Sequence, residues 1–134
     1  MNKKMNIVIV GLGNIGSYFY SYLKKNKNIL FNKTNTIPNI VYVSARSLGK
    51  KRSINTPKHL WLKNCLLAPK IKKVDIIVEL IGGAEGVAKK LVFDALKNKK
   101  HVVTANKALV AKYGDQLSKI AEKNKVNFEF EAAV

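Results

Sequence analysis

The sequence predicts an α/β domain, a doubly wound parallel sheet with helices on both faces. Three observations carry that prediction. Short β-branched apolar runs alternate with stretches of helical spacing along the whole chain. The first run passes directly into a glycine-rich turn that opens a helix. A length of 134 residues suits one domain with a core of its own. Strands that alternate with helices in this way pair in parallel through right-handed crossovers.

In chain order, residues 5–10, MNIVIV, read as a buried strand and residues 11–16 as a turn. From Ile15 the apolar positions Ile15, Tyr18, Phe19, Tyr22 and Leu23 mark one face of a helix. Residues 24–35, rich in Lys and Asn, are expected to end that helix and form a loop. Residues 40–45, IVYVSA, form a second strand, followed by a basic loop over 46–58. A short amphipathic segment at 59–67 stops near Pro69. Residues 74–81, VDIIVELI, form a third strand, with Gly82 and Gly83 as its turn. Val87, Leu91, Ala95 and Leu96 give the next helical face, and 101–105, HVVTA, the next strand. Leu109, Tyr113, Leu117, Ile120 and Ala121 mark a last helix, and 126–133 a last strand. There is no internal repeat or domain boundary. The closing residues carry neither helix cap nor polar tail, so the domain over 1–134 is expected to be incomplete at its C-terminus.

Composition narrows the function. No apolar run nears the roughly 20 residues that span a bilayer, so no membrane association is expected. The basic N-terminus leads into glycines rather than a cleavage site, which argues against a signal peptide. Cys65 is the lone cysteine, which suits a reducing cytoplasm and a packing role. His59 has no second ligand at metal spacing, so no zinc is assigned. The net charge is +17, but only Arg46 and Arg52 are arginines. The lysines are scattered, and Lys, Asn and Ile share A/T-rich codons, so genome composition accounts for much of the excess. A nucleic-acid binder would add arginines and exposed aromatics, so no nucleic-acid partner is assigned.

Four motifs carry chemistry. Gly11, Leu12, Gly13, Asn14, Ile15 and Gly16 follow a strand and open a helix, the context that a dinucleotide fingerprint requires. Gly11 permits the tight turn, Gly13 lets the backbone approach a pyrophosphate, and Gly16 lets helix and strand pack closely. Free N–H groups at the helix start would face the phosphates. The competing reading is a tight turn with no ligand. At the end of the second strand, NAD-selective sites usually place a carboxylate on the ribose. Here stand Arg46 and Ser47, with no Asp or Glu between Asn39 and Leu60. The guanidinium fork of Arg46 suits a 2′-phosphate, which points to NADP rather than NAD; the alternative is a solvated basic loop. Gly82, after the third strand, would let a ribose lie near the backbone, and Glu79 before it is as readily structural as functional. Lys107 leaves the fourth strand at the same sheet edge, where a lysine can hydrogen-bond a substrate hydroxyl or a cofactor amide. The helix dipole does not favour a lysine there, which supports a special role.

Together these pieces resemble homoserine dehydrogenase, in the runs VDIIVELIGG, KKHVVTANKALVAKYGDQL and FEFEAAV and across essentially the whole chain. The resemblance implies a Rossmann-type cofactor domain and NADP-linked interconversion of aspartate semialdehyde and homoserine, on the route to threonine and methionine. By the same resemblance the 11–16 turn holds the pyrophosphate and Arg46 lies near the adenosine ribose. Thr104 and Lys107 line the nicotinamide and substrate, with Lys107 catalytic. Glu131 and Val134 match positions whose backbone carbonyls hold a sodium ion in some members. The family's substrate carboxylates, second lysine and homodimer sheet come from a later domain that is absent here. Hydride transfer needs its partners aligned within about 3–3.5 Å, so this chain is expected to bind cofactor but to turn over little. Two readings compete: another Rossmann oxidoreductase of small amino acids, aspartate dehydrogenase-like, and a non-catalytic nucleotide-sensing module.

Overall fold

A computed structural model describes residues 3–46, 54 and 56–130. Five parallel strands stand in the order β2-β1-β3-β4-β5. They are β1 (Lys3–Val10), β2 (Thr36–Ser44), β3 (Ile76–Glu79), β4 (His101–Thr104) and β5 (Phe128–Phe130). The helices are α1 (Asn14–Lys25), α2 (Lys27–Thr34), α3 (Val87–Lys97) and α4 (Lys107–Asn124). Two 3-10 turns, Lys58–Leu60 and Cys65–Lys70, stand where one short amphipathic segment was expected.

Alternation along the strands separates two cores, as a sheet covered on both faces requires. Val8, Val10, Ile77 and Val102 pack with Leu91, Leu96, Leu109 and Leu117 of α3 and α4. Ile7, Ile9, Val43 and Val78 pack with Tyr20 and Leu23 of α1. The chain leaves β1 toward β2 on one side and later returns to β3 on the other. The carboxyl ends of β1 and β3 therefore flank the switch point at which such sheets take ligands.

Two expectations are corrected. Residues 24–35 are mostly helix: after a break at Asn26, α2 runs to Thr34 and ends on Asn35 in the left-handed conformation, φ 57°. Lysine is a good helix former, and the polarity of the stretch reflects exposure instead of loop structure. Leu30 supplies the contact of α2 with the second core. The buried face of α1 is also rotated from the expected one. Gly16, Ser17, Tyr20 and Leu23 face inward, whereas Ile15 is 66% and Tyr18 71% exposed. The cause lies at Gly16, where a Cβ would overlap the Gly11 carbonyl. That close approach fixes which side of the helix meets the sheet, whatever the apolar count. No helix among the described residues is long and apolar enough to cross a membrane.

Candidate functional site

The β1–α1 turn is built by its glycines. Gly11 has φ +106°, a conformation that L side chains rarely adopt, and a Cβ there would lie 2.8 Å from the Leu80 backbone. Its N–H donates to the Ser44 carbonyl at 2.8 Å, tying the turn to the end of β2. Leu12 is buried in the second core, and its carbonyl accepts from the Ser17 hydroxyl at 3.2 Å. Gly13 is different. A Cβ placed on it meets nothing within 4 Å. Gly13 also caps α1 without any side-chain hydrogen bond, and the first turn holds no acidic residue. The first N–H groups of a helix lack intrahelical partners and carry positive potential, so this end presents donors to open space. Asn14 and Ile15 continue the exposed rim.

A cavity of about 470 Å³ opens beside this turn. Gly11, Ser44, Arg46, Lys63, Cys65, Gly82 and Glu85 are among its walls. It thus joins two residues chosen from sequence, Arg46 and Gly82, to the glycine turn. A smaller cavity of about 130 Å³ lies against Ile15, Leu80, Ile81, Gly82, Ala105 and Asn106. Burial pushes the Cys65 thiol up from its ordinary value, and the Glu79 carboxylate adds to the rise. Cys65 therefore stays protonated, in keeping with packing instead of nucleophilic work. An apolar depression near Met5, Leu30 and Pro38 lies at the opposite end of the strands from these motifs.

At the ends of β3 and β4 the polar groups are spoken for. Glu79 is fully buried. Its Oε2 accepts from the Ile81 and Gly82 N–H groups, both at 2.9 Å, and its Oε1 from the Thr104 hydroxyl at 2.5 Å. The Thr104 Oγ1 accepts from the Asn106 N–H at 3.0 Å. Asn106 caps α4 by accepting from the Leu109 N–H at 3.0 Å, and its Nδ2 donates to the Gly83 carbonyl at 2.6 Å. Thr104, expected at the nicotinamide, is 1% exposed and turns its hydroxyl into this network. Lys107 is exposed at the first residue of α4. Ser47, Glu131 and Val134 lie outside the described residues. Among the described residues no group of three or more His, Cys, Asp or Glu could hold a metal ion.

Sequence reading missed Asn106, Lys63 and Glu85. Asn106 was recoverable, being a cap-forming residue just before a helical pattern. Lys63 and Glu85 carry no local signal, since only the fold brings them to the cavity. Glu85 accepts from the Tyr113 hydroxyl at 2.5 Å and pairs with Lys112 at 2.9 Å and Lys89 at 3.4 Å. The hydrogen bond from Tyr113, then that from Lys112, holds its carboxyl down at about 2.

Residues 11–131 match the family described as homoserine dehydrogenase, NAD binding domain. The chain belongs to that family. It is 36% identical over 132 residues to the homoserine dehydrogenase of Bacillus subtilis and 38% to that of Neisseria gonorrhoeae. It spans 98% of its own length but about 30% of those curated relatives. Among solved structures, a homoserine dehydrogenase from S. aureus superposes with a TM-score of 0.89 at 36% identity, covering 98% of this chain and 34% of that one. One from Thiobacillus denitrificans does so with a TM-score of 0.89 at 36% identity, over 98% and 30% of the two chains.

The homoserine dehydrogenase relatives are oxidoreductases, and the family match makes this the domain that takes a nicotinamide cofactor. The residues present fit such a group. The space over Gly13, which a Cβ would fill, and the uncapped start of α1 accommodate a pyrophosphate.

Proposed function

We propose that this chain is the NADP-binding domain of a homoserine dehydrogenase acting between aspartate semialdehyde and homoserine in a cytoplasmic, homodimeric enzyme that feeds threonine and methionine synthesis. The observation that carries the reading is the meeting of Gly11, Arg46 and Gly82 on one cavity beside the uncapped start of α1. When bound, the nicotinamide supplies or accepts the hydride. The residues of this chain bind and orient. The backbone at Gly13, Asn14 and Ile15 receives the pyrophosphate through N–H groups. Arg46 follows the end of β2 by two residues, where the ribose hydroxyls of NAD usually meet a carboxylate, and no Asp or Glu stands between Asn39 and Leu60. The guanidinium fork instead receives the 2′-phosphate, with Lys63 adding positive charge from the same cavity. Exposed Lys107 donates to the substrate hydroxyl. The curated relatives carry more than twice this length besides, and the rest of the substrate site belongs to that part of the enzyme.

Calorimetric titration of the chain with NADPH and with NADH tests the reading. One or two charge-assisted hydrogen bonds to the 2′-phosphate give a preference for NADPH of about tenfold or more. Arg46→Ala should erase that preference while leaving NADH binding in place. Equal affinity of the unaltered chain for both cofactors would remove the NADP assignment. Binding of neither would remove the cofactor reading itself.

A further inference from the structure

The buried network at the ends of β3 and β4 has a place in the molecule that its hydrogen bonds alone do not explain. Glu79 and Thr104 are register partners on adjacent strands, so their side chains leave the sheet side by side. From there the network reaches both ends of one turn. The Glu79 Oε2 holds the N–H groups of Ile81 and Gly82, and Asn106 holds the carbonyl of Gly83. Gly82 and Gly83 have φ of +91° and +88°, and a Cβ on Gly82 meets nothing within 4 Å. A two-glycine turn of this kind has wide backbone freedom unless its polar groups are fixed. The fixed turn is also a shared wall: Ile81 and Gly82 line both the 470 Å³ and the 130 Å³ cavity.

We propose that Glu79, Thr104 and Asn106 are positioning residues that set the Ile81–Gly83 turn as the seat for the nicotinamide end of the cofactor. The inference rests on the cofactor reading above and names which end of the dinucleotide the network serves. The pyrophosphate has Gly13 and the 2′-phosphate has Arg46, which shares the larger cavity with Ile81 and Gly82 but lies outside the turn. Loosening the turn therefore costs affinity for the whole dinucleotide and spares a ligand that stops short of the nicotinamide.

The probes are NADPH and adenosine 2′,5′-bisphosphate, titrated calorimetrically into the chain and into Thr104→Val, Thr104→Ser and Glu79→Gln. Valine keeps the shape of threonine but removes the hydroxyl that links Glu79 to Asn106; serine retains the hydroxyl. Glutamine leaves one acceptor where the carboxylate has two, so either the turn N–H groups or the threonine hydroxyl loses its partner. Thr104→Val and Glu79→Gln should weaken NADPH by about tenfold, the equivalent of one charge-assisted hydrogen bond, and leave the bisphosphate within about twofold. Thr104→Ser should bind both ligands as the unaltered chain does. A general loss of structure would weaken both ligands in parallel, and that result in Thr104→Val, the mildest variant, overturns the inference. Unchanged NADPH affinity in Thr104→Val and Glu79→Gln overturns it too. If the unaltered chain binds neither probe, the cofactor reading fails first and the inference falls with it; if it binds both, only the positioning role is at stake.

Discussion

Two strand-to-helix turns stand at the same edge of the sheet and treat their helices in opposite ways. At the start of α4, Asn106 accepts from the Leu109 N–H, and its own N–H and amide are bound within the fold. At the start of α1, Gly13 offers no side chain, and the space above it is open. Gly86 likewise starts α3 without a side-chain cap, and it too lines the larger cavity. A capped helix start is a finished piece of structure, since its orphan donors are satisfied internally. An uncapped one leaves its donors available to an anionic ligand. On the proposed function, the difference separates residues that shape the site from residues that would touch a bound cofactor.

Substitutions can break that separation. The largest effect is expected at Gly16. A methyl there meets the backbone carbonyl of Gly11, which has no flexible side chain to move aside. Gly16→Ala should destabilise the fold by about 3 kcal/mol or more in urea unfolding. Asn106→Ala should cost less, about 1–2 kcal/mol, through the lost cap and the freed Gly83 carbonyl. A smaller effect depends on pH. Hydrogen bonds from Tyr113, Lys112 and Lys89 hold the Glu85 carboxyl at about 2 against an ordinary 4.5. A depressed carboxylate contributes stability above its unfolded value and loses it as pH falls through the folded one. The melting temperature of the unaltered chain should therefore exceed that of Glu85→Gln at pH 7. The gap should narrow from about pH 4.5 and vanish near pH 2. The side chain is exposed, so the gap is small.

The α/β plan was legible because glycine turns and β-branched runs are strong local signals. The turn at 11–16 and the helices beginning at Val87 and Lys107 stand where spacing put them. What failed was decided away from the local pattern. Helix α2 is hidden by exposed lysines and asparagines, and the inward face of α1 is chosen by backbone contact at Gly16 rather than by its apolar residues. The site divides along the same line. Gly11, Arg46 and Gly82 announce themselves by residue type beside a strand end, and they do meet on one cavity. Thr104, whose role came only from the family resemblance, is placed by strand register beside Glu79, and sequence spacing does not encode that pairing. Lys63 reaches the cavity only because the chain beyond the 46–58 stretch folds back, with Trp61 bridged to Val43 and the Leu62 N–H donating to the Val43 carbonyl.

Gly13→Ala separates structure from binding in a single residue. Its backbone, φ −73° and ψ −157°, is extended and open to alanine, and the added methyl meets no protein atom. Thermal unfolding should show stability lowered by no more than about 1 kcal/mol, since alanine is a poorer N-cap than glycine but constrains the unfolded chain more. Calorimetric titration with NADPH should show affinity reduced by about tenfold or more, because the methyl fills the space that the proposed function gives to the pyrophosphate. Unchanged NADPH affinity in a stably folded Gly13→Ala chain would contradict the account, leaving the open glycine turn as structure without a ligand.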